Sequence, residues 1–164
     1  MRALFKFLLR LAACSAGSAL VEMTIIAPVA VSLAAGGVDF GMGYAAQATV
    51  GKSVRDAARY LAGLPASVAC SATSTLNAQN LAVYGKLNPV SGVDLPLLPG
   101  WSVTSDNPSF TFNPSTCPAP TGNASPFTIT ATATYQYQSI ILTSLMTGTF
   151  TLSATHEEPQ IGGP

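Results

Sequence analysis

Glu22 and the cysteines are the side chains whose types and placement call for chemistry. Between Leu11 and Gly51 the only charged residues are Glu22 and Asp39, set among Ala, Val, Leu, Ile and Gly. A charge at the centre of a membrane helix costs about 2.5–3.5 kcal/mol on insertion scales, so Glu22 calls for a cationic partner. The alternative is a Glu22 that lies at the cytoplasmic headgroups and faces water. Cys70-Ser71 and Cys117-Pro118 lack C-x-x-C spacing, which speaks against redox catalysis and zinc. The single histidine stands in His156-Glu157-Glu158-Pro159, without the second His of a zinc-protease helix and with a helix-breaking Pro159. No Gly-x-Ser-x-Gly elbow accompanies it, and Asp39-Phe40-Gly41 lacks the Gly-rich loop and Lys of a kinase. These residues predict no enzyme, no metal and no cofactor. With 7 basic and 7 acidic residues in 164 and no cationic cluster, no nucleic-acid partner is expected.

The elements that must hold these residues begin with a membrane segment. Met1 to Arg10 carries Arg2, Lys6 and Arg10 and no acid, so this end stays in the cytoplasm and the remainder crosses. The apolar stretch Ala19 to Ala46 exceeds the ~20 residues that span a bilayer and the ~7–15 of a secretory signal. Pro28 removes a backbone hydrogen bond and predicts a kink. Leu11-Ala12-Ala13-Cys14 also fits a lipobox, although Lys6 and Arg10 leave it too short an apolar region.

Beyond the span, Tyr44 to Leu61 keeps a helical pattern. Ala48, Val54, Ala58 and Leu61 mark one face, while Lys52, Arg55 and Arg59 share another. That basic stripe reads as a solvated face, or as contact with headgroups or an acidic neighbour. Lys52 and Asp56 are spaced to pair, for about 0.2–0.5 kcal/mol. Gly63-Leu64-Pro65 stops the helix, and the composition then turns to Thr, Ser, Asn and Pro.

A second helix is expected over Ser71 to Leu87, capped by Thr73 or Ser74, with Leu76, Leu81 and Val83 or Tyr84 as its apolar face and Asn88-Pro89 as its end. Strands are expected at Trp101–Thr104, Ser109–Phe112, Phe127–Tyr135 and Gly148–Thr155. In Phe127–Tyr135, Thr and apolar residues alternate between faces. Ile140-Ile141-Leu142 would pack between strands as a helical turn or loop. The fold class is α+β: a long N-terminal transmembrane and stalk helix, then a small antiparallel sheet with one further helix. Cys70 and Cys117 lie beyond the span, where the periplasm oxidises thiols. A bridge enclosing about 48 residues would contribute roughly 4 kcal/mol, the alternative being two free buried thiols.

The basic leader, Gly17, and an apolar helix with Glu at the fifth position after that glycine resemble a type IV prepilin cleavage site. Gly17-Ser18-Ala19-Leu20-Val21-Glu22-Met23, then Ala27-Pro28 and Val38-Asp39-Phe40-Gly41, is similar to the TadE-like pseudopilins of the tight-adherence (Flp) pilus system. Ala57-Ala58-Arg59-Tyr60, Ala78 to Gly85 and Phe150 to Thr155 extend the likeness along the chain. Met23 departs from it, since Flp-type substrates usually carry an aromatic there. The resemblance implies cleavage between Gly17 and Ser18 by a prepilin peptidase, and pairing of Glu22 with the new Ser18 amine to set subunit register. It further implies a minor pseudopilin of the inner membrane, single-pass, with its C-terminal domain in the periplasm. Sister pseudopilins, the Flp major pilin and the pilus assembly platform would be its partners. The implied segments are a leader (1–17), a transmembrane and stalk helix (18–63) and a periplasmic domain (64–164). The rival reading is a membrane-tethered periplasmic binding or scaffold module, using Trp101 and Tyr135 or Tyr137, that never enters a fibre.

Overall fold

The computed structural model describes residues 15–104, 107–113, 128–139, 141 and 149–161. Helices α1 (Ser15–Ala62), α2 (Ala66–Ala69) and α3 (Ala72–Tyr84) precede strands β1 (Ser109–Asn113), β2 (Thr128–Gln138) and β3 (Thr149–Pro159). The strands form one antiparallel sheet in the order β1-β2-β3. A long apolar helix, a small sheet and a further helix give the expected α+β class.

The two halves of α1 follow different sequence rules. From Ala19 to Val38 no side chain is buried, in keeping with a segment that is apolar all round. From Asp39 onward a single stripe turns inward. Ala46, Val50, Val54, Ala57, Ala58, Leu61 and Ala62 are buried at the spacing of three and four that keeps one helical face against a core. Val54, Ala58 and Leu61 therefore lie where the pattern predicts. Ala48 does not: two residues after Ala46 it has rotated off the stripe and is exposed. Lys52, Arg55 and Arg59 are exposed on the far side, and no ion pair joins Lys52 to Asp56. The helix runs unbroken through Pro28. It ends where Gly63 N–H reaches Arg59 O (3.0 Å) and Leu64 N–H reaches Leu61 O (3.1 Å), with Pro65 unable to continue it.

Helix α3 starts one cap earlier than expected. Ser71, rather than Thr73 or Ser74, accepts the Ser74 N–H at 3.1 Å through its side chain. It also stops at Tyr84, before Asn88-Pro89, because Gly85 takes a left-handed φ of 68° and closes the last turn onto Leu81 O. Its buried face is Ser74, Ala78, Gln79, Ala82 and Val83, so Leu76, expected inside, is 50% exposed. Small alanines on both partners explain the choice. Ala78 and Ala82 let α3 approach Ala57, Leu61 and Ala62 of α1 closely, which turns Leu76 to the outer side of the helix.

The centre of the sheet matches its alternation. In β2, Ile129, Ala131, Ala133, Tyr135 and Tyr137 are buried against α1, and the threonines between them face the other way. Strand β3 runs to Pro159, four residues past Thr155, because Ile129 and Ala131 of β2 pair with Glu158 and His156. The strand expected at Trp101–Thr104 does not form. Only an isolated bridge joins Thr104 to Asn107. The buried Gln79 amide donates to Thr104 O (3.2 Å) and Pro108 O (2.9 Å), so a side chain takes the carbonyls that a ladder would use. Trp101 enters the core instead, edge-on to Tyr135 at 6.2 Å. Phe127, Ile140, Leu142 and Gly148 lie outside the described residues, while Ile141 sits in an exposed bend.

Candidate functional site

The twenty residues from Ala19 to Val38 rise about 30 Å along the helix axis, the thickness of a bilayer hydrocarbon core. Among the described residues none of their side chains is buried, and Leu20, Val21, Met23, Ile25, Val29 and Leu33 are all exposed. Helix α1 is long and apolar enough to cross a membrane. Its hydroxyls are already satisfied within the helix, Thr24 Oγ1 donating to Leu20 O (2.7 Å) and Ser32 Oγ to Pro28 O (2.8 Å). Lipid would offer them no partner, so this self-satisfaction suits a bilayer.

At the first residue past that bare segment, Asp39 clasps the sheet to the helix. Its carboxylate accepts from Ser139 Oγ at 2.6 Å and from Ile141 N–H at 3.2 and 3.3 Å. Tyr137 Oη donates to the Asp39 backbone carbonyl at 3.2 Å, and the tyrosine ring packs beside Gly43, where a Cβ would lie 3.6 Å from Cε1. Asp39 is 7% exposed, so a buried carboxylate holds the end of β2 nearest the apolar half of α1. Burial, the Asp39 charge and the neighbouring Tyr135 all push the Tyr137 phenol above its ordinary pKa. The sequence reading gives Asp39 no role. Its signal was a lone carboxylate at the end of an apolar run, half-hidden by a superficial kinase-like tripeptide.

Further contacts stitch β3 to the rest of α1. Gln47 Nε2 donates to Ser153 O at 2.8 Å, Ile161 N–H to Ala62 O at 2.9 Å, and Gln160 Nε2 to Leu64 O at 3.0 Å. These bonds follow the helix from its middle to its end, so β3 ascends beside it. His156 and Glu158, 2.8 Å apart, occupy the inward side of that strand.

Gly17 and Ser18 lie on the first turn of α1, and Glu22 follows Ser18 by one helical turn. Glu22 is exposed and has no side-chain partner among the described residues. Pro28 is exposed within the bare segment. Cys70, at the C-cap of α2, is disulfide-bonded, while Cys14 and Cys117 lie outside the described residues. Trp101, Tyr135 and Tyr137 are core residues at 4, 9 and 9% exposure, which removes them as a ready-made binding surface. Among the described residues no group of His, Cys, Asp and Glu is arranged to hold a metal ion.

The comparisons with known proteins agree with this emphasis on the helix. Residues 17–59 match the family model described as TadE-like protein, which is consistent with a TadE-like protein of the tight-adherence pilus system. No curated protein and no solved structure matches the chain.

Proposed function

We propose, from the match of residues 17–59 to the TadE-like model, that the chain is a minor pseudopilin taking part in the assembly or priming of a tight-adherence pilus. The observation that carries this reading is where the match falls. It covers Gly17, Ser18, Glu22 and the bare apolar helix, and extends to the stripe on which the sheet is mounted. The precursor inserts with its basic end in the cytoplasm and its sheet domain in the periplasm. A prepilin peptidase cuts between Gly17 and Ser18. Glu22, with no partner among the described side chains, neutralises a Ser18 amine of its own or a neighbouring subunit and so fixes register. Cys70 pairs with Cys117, tying the segment that precedes β2 in the chain to the helical layer. In this role the chain is an assembly component rather than an enzyme.

The intact mass and N-terminal sequence of the protein from its native membrane test this reading. A chain beginning at Ser18 is the expected result. A chain that still begins at Met1 leaves Glu22 without its amine and favours a tethered module that stays outside the fibre. A lipid on Cys14 assigns the chain to the lipoproteins instead.

A further inference from the structure

Where the bare helix meets the sheet, an apolar groove of about 470 Å³ opens along α1. Gly36, Phe40 and Tyr44 form its helical wall, and Tyr137, Phe150 and Leu152 form its sheet wall. Three of these are large side chains left in the open: Phe40 is 78% exposed, Tyr44 72% and Phe150 50%. Such a cluster beside a membrane segment asks for an apolar cover.

Its height on the helix identifies the cover. If Ala19 to Val38 fills the hydrocarbon, the headgroup layer adds about 5–7 Å on that side, or roughly four residues of helical rise. Gly36 then sits about 3 Å inside the hydrocarbon, Phe40 about 3 Å above its edge in the headgroup layer where aromatic rings gather, and Tyr44 about 9 Å above that edge, at the outer margin of the headgroups. The lower mouth of the groove is thus continuous with the bare face of the span, and acyl chains reach it without leaving the bilayer. Phe150 is held at the same height, because it pairs in register with Tyr137, whose hydroxyl is bonded to Asp39.

We propose that this groove seats a phospholipid of the leaflet nearest the sheet domain. The top of an acyl chain lies beside Gly36, with the glycerol region between Phe40 and Phe150 and the headgroup beside Tyr44. The sheet domain therefore rests on the membrane surface through its own apolar wall instead of standing clear of it. The proposal rests on the membrane-spanning reading of α1, and its test separates the two.

The full chain is reconstituted in vesicles of mixed phosphatidylethanolamine and phosphatidylglycerol, with bromine placed either near the glycerol or deep in the acyl chain. Bromine quenches tryptophan fluorescence only at close range. Trp101, buried in the core and not itself lining the groove, gives the baseline in the unaltered chain. Phe150→Trp and, separately, Tyr44→Trp add an emitter in the groove, while Ile26→Trp adds one inside the span. The expected result is quenching of both groove emitters by shallow bromine, well above the Trp101 baseline, and of the Ile26→Trp emitter by deep bromine. Groove emitters that stay at baseline while Ile26→Trp is quenched overturn the groove proposal alone. If Ile26→Trp also stays at baseline, the membrane-spanning reading falls and takes the groove with it. Groove emitters shielded from bromine that transfer energy to an acceptor on another chain would give the groove to a second copy, again overturning the proposal.

Discussion

Ser139 Oγ donates to Asp39 Oδ2 across 2.6 Å, although the two residues are 100 positions apart in the chain. One contact thus joins the end of the exposed apolar helix to the near end of the central strand. Asp39→Ala strips an acceptor from Ser139 and from the Ile141 amide. With the buried Ser139 hydroxyl stranded at about 1–3 kcal/mol and the half-exposed Ile141 amide able to turn to water, the loss is expected to be about 1–3 kcal/mol. Ser139→Ala, which leaves the Ile141 bond in place, should cost less. Denaturant unfolding of the full chain in detergent, followed through Trp101 fluorescence, checks both. A double-mutant cycle should show coupling between the two sites.

Leu61 and Leu76 separate two readings of the helical layer. Leu61 is fully buried between α1 and α3, whereas Leu76 is half in solvent. Leu61→Ala should destabilise by about 2–5 kcal/mol through the cavity it leaves. Leu76→Ala should stay within about 0.5 kcal/mol of the parent. Thermal unfolding of the two variants side by side decides the matter.

That contrast also marks how far the sequence could be read. The stripe Val54, Ala58 and Leu61 was legible because one face of a long helix repeats often enough to fix its phase. In α3 the phase was misread, since Leu76 looked apolar enough to face inward while the true face is made of Ala78 and Ala82. Alternation of Thr with apolar residues gave β2 its register. No such alternation could reveal that Trp101–Thr104 is irregular, where Gln79, from a different element, takes the Thr104 carbonyl at the end of the segment. Glu22 was singled out as a lone charge in an apolar run, and Gly17 and Ser18 by their resemblance to a prepilin cleavage site. Asp39 was not, because its partners come from the far end of the chain.

At the end of α3, Ser71 and Gly85 hold opposite caps. Ser71→Ala removes the acceptor for the Ser74 amide and should cost about 0.5–2 kcal/mol. Gly85→Ala places a Cβ on a residue at φ 68° and should cost about 1 kcal/mol or more. Amide exchange across Ala72–Tyr84 should accelerate from the corresponding end in each variant.

Two titrations of opposite sign follow from the polar contacts. Asp94 accepts from Lys86 Nζ and from Val90 N–H, and these bonds hold its carboxyl below the ordinary range. Its contribution to the Lys86–Asp94 turn is complete above the unfolded carboxylate pKa and is lost as pH falls through the lowered folded value. Protection of the Val90 amide should fall in step. Tyr135 and Tyr137 are raised by burial, Tyr137 also by the Asp39 charge, so their contribution is present below the unfolded phenol pKa. It is lost as pH rises through the folded values. Tyr137→Phe should blunt the alkaline loss of structure, read by phenolate absorbance alongside circular dichroism.

The bonds from α1 to the sheet domain have a mechanical consequence. Asp39, Gln47 and Ala62 are spaced along one rod, and each is tied to a point on the strands or just beyond them. A pull on the domain along the rod loads all three ties together, in shear, and the whole set must yield before the domain slides. A pull at right angles to the rod loads them one after another, as a peeled seam. A subunit drawn lengthwise out of a membrane by its domain therefore experiences its strongest attachment in the direction of extraction, and its weakest in the direction that would lift the sheet off the helix.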